Sequence, residues 1–183
     1  MKNYRGMAGL LTGALLMAGC LAIPTALQAT EPGDSAEITK LFADAKSEAA
    51  QLKNDSEDME SLVKSKLSWE SYASHVEMIK EHVNNTGKLL AKLQNAAPSG
   101  SPWQQTAIQQ IDPLLRELAA NTEATINHLN ENRANIHFPQ FKDYVRANYD
   151  LAVDLEALIR DFVNYGEAKD KTERLGKKLD VTD

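Results

Sequence analysis

The stretch WESYASHVEMIKEHVNNTGKLLAKLQNA, residues 69–96, decides the fold. Trp69, Tyr72, Val76, Ile79, Val83, Leu90 and Leu93 recur by threes and fours, with one gap at Thr86. That is an a/d heptad, the seam of a left-handed helical bundle. Ser68 precedes it as an N-cap, and Leu67 is placed to pack on Tyr72 as a hydrophobic staple. Such a stripe needs helices of its own kind to cover it.

They lie on both sides. Upstream, Ile38, Leu41, Phe42, Ala45, Ala49, Leu52, Met59, Leu62 and Val63 repeat at the same spacing. Downstream, Ala96-Ala97-Pro98-Ser99-Gly100 reads as a turn. Ser101 then caps a third helix, with Pro102 in its first position and Gln104 completing a capping box. This helix carries Ile108, Ile111, Leu115, Leu118, Thr122, Thr125, Ile126 and Leu129, and Pro113 is expected to bend it. The chain turns again around Ile136 to Pro139. A fourth helix follows with Phe141, Tyr144, Val145, Leu151, Leu155, Leu158, Ile159 and Phe162. The expected helices are 35–66, 69–97, 102–136 and 139–179, with 180–183 as a tail. Val76, Ile79, Leu115, Leu118, Leu155 and Leu158 should be buried. Short connections make sequence neighbours antiparallel, so the expected fold is all-α, an up-down-up-down four-helix bundle over 35–179.

Ahead of the bundle stand Lys2 and Arg5, the apolar run Met7 to Ile23, Pro24 and Leu27-Gln28-Ala29. These are the basic, apolar and small-residue regions of a secretory signal peptide. The expected cut follows Ala29, making 1–29 a leader and 30–34 a polar lead. Export to the periplasm or beyond is implied. A competing feature, Met17-Ala18-Gly19-Cys20, resembles a lipobox, and lipidation there would make a lipoprotein anchored through Cys20. The apolar run is about 17 residues, the lower limit for crossing a bilayer, and the mature chain has no transmembrane segment.

Cys20 is the single cysteine of the chain, so the mature protein has neither a disulfide nor a thiol nucleophile. With 20 basic and 26 acidic residues the chain carries a formal charge of −6. That balance argues against nucleic acid, whose phosphates need a basic surface. It also disfavours simple adsorption to anionic lipid. A local exception is Lys169, Lys171, Arg174, Lys177 and Lys178, interrupted by Glu167, Asp170, Glu173 and Asp180. Cations near a helix C-terminus are favoured by the dipole in any case.

Ser101-Pro102-Trp103-Gln104-Gln105, Asn127-His128-Leu129-Asn130-Glu131-Asn132 and Asp161-Phe162-Val163-Asn164-Tyr165-Gly166 resemble stretches in a group of small exported bacterial four-helix-bundle proteins of no known function. The resemblance runs from about Trp69 onward. It implies a secreted helical bundle and no particular activity.

The chemistry-bearing residues are sparse. Carboxylate-bridged di-metal bundles need Glu-x-x-His on two helices. The residues three before His75, His82, His128 and His137 are Tyr72, Ile79, Thr125 and Ala134. There is no Cys-x-x-Cys-His, His-Glu-x-x-His, phosphate loop or Gly-x-Ser-x-Gly. His75, Met78 and His82 share one side of the second helix as candidate metal ligands. Met59 and His75 face each other across the first turn as a candidate haem pair. Against this, Met59 suits core filling, and His75 and His82 suit flanks where Gln would be nearly neutral. A second candidate is the bundle end that gathers Trp69, Tyr72, Phe138, Phe141 and Tyr144 near His128, as a groove or as a plug. Ser56, Thr86, Thr122, Thr125 and Asn148 dilute the seam, where buried polar groups set register. The reading is a non-enzymatic exported module without a cofactor, which binds an envelope protein or peptide or serves the envelope structurally. The alternative is a haem- or metal-binding bundle through Met59 and His75.

Overall fold

The computed structural model describes residues 33–65, 67–134 and 139–180. The leader, its cut, Cys20, His137 and Phe138 lie outside the described residues. Four helices account for nearly all the rest: α1 (Ala36–Leu62), α2 (Trp69–Ala96), α3 (Pro102–Glu131) and α4 (Pro139–Leu179). A 3-10 turn, Ala97–Ser99, joins α2 to α3. Each helix packs chiefly on two others, α1 on α2 and α4, and α3 on α2 and α4. The chain is a helical bundle.

All four helices bury a heptad stripe. On α2 it is Tyr72, Val76, Ile79, Val83, Thr86, Leu90 and Leu93, with Thr86 filling the gap in the apolar pattern. On α3 it runs through Ile108, Ile111, Leu115, Leu118, Thr122, Thr125 and Leu129. The α3 helix continues unbroken through Pro113. On α4 the buried residues are Phe141, Val145, Asn148, Ala152, Leu155 and Ile159. Of the six expected core residues, five are buried and Leu158 is a correction: it is half-buried and packs against the core edge. Leu151 also flanks the core. The heptad phase puts small Ala152 and polar Asn148 inside, where a reading by large apolar residues favours their neighbours.

Two helices stop short of their expected ends. The Tyr72 hydroxyl donates to the Ser65 carbonyl, lies 3.4 Å from the Leu62 carbonyl and accepts from the Leu67 N–H. Ser65 N–H closes a turn on Leu62 at 2.8 Å, so α1 ends at Leu62 and not at residue 66. At the end of α3, the Asn132 side chain donates to the His128 carbonyl at 2.8 Å, beside its own N–H at 3.1 Å. A side chain competing for the terminal carbonyl ends the helix at Glu131 rather than residue 136. The helix starts agree closely: Ser35 and Ser68 accept from the N–H groups of Ile38 and Ser71. Ser101 and Gln104 form the capping box, with the Gln104 amide oxygen 3.1 Å from the Ser101 nitrogen.

Candidate functional site

Near the end of α1, the start of α2, the end of α3 and the start of α4, aromatic side chains join the helices through hydrogen bonds and ring contacts. The Trp69 indole N–H donates to the Leu129 carbonyl at 2.9 Å, and the Arg133 guanidinium lies 4.2 Å from the centre of the Trp69 ring. Tyr72 meets Phe141 edge-on at 5.4 Å, while His128 stacks on Phe141 at 6.1 Å and tilts against Tyr144 at 5.5 Å. The expected gathering of Trp69, Tyr72, Phe141, Tyr144 and His128 is therefore present. Tyr72 and Phe141 are fully buried, however, and offer no binding surface. They close the end of the core, as aromatic rings do where aliphatic layers run out. Trp69 and Tyr144 keep some exposure.

Beside this plug, between the end of α3 and the start of α4, lies an open polar cleft of about 470 Å³. Asn127, His128, Glu131, Asn132, Gln140 and Tyr144 line it. The Gln140 amide donates to the Tyr144 hydroxyl at 3.2 Å, and Asn132 reaches His128 Nδ1 at 3.4 Å. The His128 Nε2 atom is buried without a hydrogen-bond partner among the described residues. Among the described residues the Asn127 amide and the Glu131 carboxylate are uncommitted at this space, which suits a polar ligand with donors and acceptors of its own. The Asn-His-Leu-Asn-Glu-Asn stretch noted in the sequence supplies four of these positions.

The histidine and methionine candidates fall elsewhere. Met59 is only 1% exposed among core side chains, so iron could reach its sulfur only through an opened core. His75 is half-buried, with Nδ1 2.8 Å from the Ser71 carbonyl of its own helix. Met78 is 46% exposed. His82 is not an exposed flank residue, which corrects the sequence expectation. Its Nδ1 lies 2.8 Å from Glu48 and its Nε2 3.3 Å from Asp55, both on α1. The second contact has ion-pair distance but no formed hydrogen bond. Burial pushes the Asp55 carboxyl above its ordinary range, His82 pulls it back, Asp58 raises it further and His75 lowers it slightly. The two carboxylates approach opposite ring nitrogens, so they cannot converge with the ring on one ion. Among the described residues no three such side chains are grouped to hold a metal.

A third cluster went unrecognised as a unit in the sequence. The Trp103 indole N–H donates to Asp34 Oδ1 at 2.7 Å, and Lys169 donates to Asp34 Oδ2 at 2.9 Å. Gln104 accepts from the Ser35 N–H at 2.9 Å and donates to its carbonyl at 3.1 Å. Trp103 stacks on Phe42 and meets Tyr165 edge-on at 5.2 Å. Burial would raise the Asp34 carboxyl, but the Ser101 hydroxyl, Lys169 and Trp103 together hold it below its ordinary value. This clasp ties the start of α1 to α3 and α4. Its sequence signal was the pair of stretches at 101–105 and 161–166, which the fold brings face to face.

A polar layer crosses the core nearer the plugged end. Asn148 donates to Thr125 Oγ1 at 2.9 Å and accepts from Thr122 Oγ1 at 3.0 Å. The Thr125 hydroxyl donates to the Asn121 carbonyl at 2.8 Å, and the Asn121 amide donates to the Tyr144 carbonyl at 3.0 Å. The network pins α3 against α4 in one register, since sliding either helix would strand these groups in the core. No protein-family profile, curated protein or solved structure matches this chain.

Proposed function

We propose that the chain is an exported, non-enzymatic module, an up-down-up-down antiparallel four-helix bundle released by signal cleavage after Ala29. It is of a kind with the small exported bundle proteins that its motifs resemble. Its work is to hold an extended peptide segment of an envelope protein at the end where α3 closes and α4 begins. The observation that carries this reading is the open cleft lined by Asn127, His128, Glu131, Asn132, Gln140 and Tyr144. Amide and phenol groups match the alternating donors and acceptors of a peptide backbone. Two of the lining residues, His128 and Tyr144, also pack in the aromatic plug, which supports their positions without a ligand. The antiparallel topology is supported by the Trp69 bond to Leu129, which joins the start of α2 to the end of α3. The Asp34 bond to Lys169 likewise joins the start of α1 to the far part of α4.

The test is a photo-crosslinking amino acid placed at Asn127 in the exported protein, with Lys53 on α1 as the control position. The expected result is a discrete adduct with an envelope protein from position 127, lost when Tyr144→Ala and Gln140→Ala are added. Adducts of equal yield from both positions would overturn the reading.

A further inference from the structure

The last turns of α4 run past the bundle. Among the described residues, Lys169 is the last of α4 to bond outside its own helix, through Asp34 at 2.9 Å. Every residue from 170 to 180 is exposed except half-buried Gly176. From Lys169 to Leu179 the helix rises about 15 Å. On this overhang Leu175 is 47% and Leu179 65% exposed. They stand one turn apart on one face.

The charges around them are only partly neutralised. Asp170 pairs with Arg174 at 2.9 Å and Glu173 with Lys169 at 3.1 Å. Lys171, Lys177 and Lys178 have no acidic partner among the described residues. Lys171 precedes Leu175 by four positions and Lys178 follows it by three, so both cations border the leucine stripe. A short helix without tertiary support is marginal in water, and Gly176 weakens it further. Neither leucine belongs to the bundle core. The apolar stripe and its cationic border are thus unused by the fold.

We propose that the α4 overhang is a docking element for the surface of an anionic phospholipid bilayer. Leu175 and Leu179 enter the boundary between headgroups and acyl chains, while Lys171 and Lys178 meet the phosphates. Charge complementarity selects this occupant over an apolar protein groove, because the cations flank the leucines in an otherwise acidic chain. The chain also joins the bundle at the base of the overhang, through Asp34. The element therefore orients the bundle, with the polar cleft at the end away from the bilayer.

The experiment is co-sedimentation of the exported protein with vesicles of phosphatidylglycerol and phosphatidylcholine, or of phosphatidylcholine alone. Binding is expected only to the first, and it should fall as salt is added. Leu175→Ser with Leu179→Ser, and separately Lys171→Gln with Lys178→Gln, should each weaken it about tenfold or more. Circular dichroism melting of the variants should match the parent, since the overhang lies outside the core. Failure of the parent to sediment with phosphatidylglycerol vesicles overturns the proposal. So does either double variant binding as well as the parent.

Discussion

Gly166 on α4 lies against the Trp103 indole so closely that a methyl group there would stand 2.9 Å from the ring. The ring cannot easily give way, because its N–H is bonded to Asp34 and its faces meet Phe42 and Tyr165. Glycine here permits the close approach of α3 and α4, at a cost in helix propensity.

Gly166→Ala should therefore destabilise the protein by about 1–2 kcal/mol, the overpacking cost exceeding the gain in helix propensity. Gly87→Ala should do the opposite. A Cβ there meets nothing within 4 Å, so the propensity gain of about 0.5–1 kcal/mol should appear in full. Urea melts of the two variants decide it, and the predicted result is opposite signs.

The clasp also makes stability depend on acid. The Asp34 carboxyl is held below its ordinary value in the folded chain, so the fold favours its charged form. Its contribution is present above the unfolded value near 4 and is lost as pH falls through the folded one. Lys169 is raised by its bonds to Asp34 and Glu173, so its share is lost only as strongly alkaline pH is approached. Asp34→Asn should flatten the acid limb of stability against pH. An acid limb of unchanged steepness in the variant would count against the clasp.

The core can be probed at two leucines that the sequence treats alike. Leu118 is fully buried, and Leu118→Ala should cost about 2–5 kcal/mol through lost transfer energy and the cavity left behind. Leu158 is half-buried at the core edge, so Leu158→Ala should cost roughly 1 kcal/mol, within the usual range of single substitutions. Equal losses in chemical denaturation would mean that the heptad phase of α4 is misplaced.

Two histidines separate in the same way. His82→Gln removes contacts to Glu48 and Asp55 across the α1–α2 interface, and should cost about 1 kcal/mol at neutral pH. His75→Gln breaks only a bond within α2, and should stay within about half a kcal/mol. Thermal melts of both proteins under one buffer condition provide the comparison.

Secondary structure was legible because local rules and the bundle agree. Ser35, Ser68 and Ser101 stand at the helix starts, and the heptad spacing identifies the buried face of α2 and α3 directly. It was least legible where a side chain acts at a distance. The early end of α1 depends on the Tyr72 hydroxyl reaching back to Ser65, and spacing along the chain does not encode that. Of the candidate site, the aromatic gathering was foreseeable from which turns share an end. Between the two readings of that gathering, groove or plug, the burial of Tyr72 and Phe141 favours the plug.

The sequence by itself determined the number of helices, their approximate limits and the stripes that α2 and α3 bury, because periodicity and capping are properties of neighbouring residues. Only the tertiary structure decided what the polar residues do. Asp34, Trp103 and Lys169 are separated by up to 135 positions, and become a clasp only when α1, α3 and α4 converge. His82 turned from a flank residue into an interhelical bridge for the same reason. The physical cause is that burial and hydrogen bonding depend on which surfaces meet, and heptads on four helices specify that each needs partners without naming the polar atoms that will face each other across the seams.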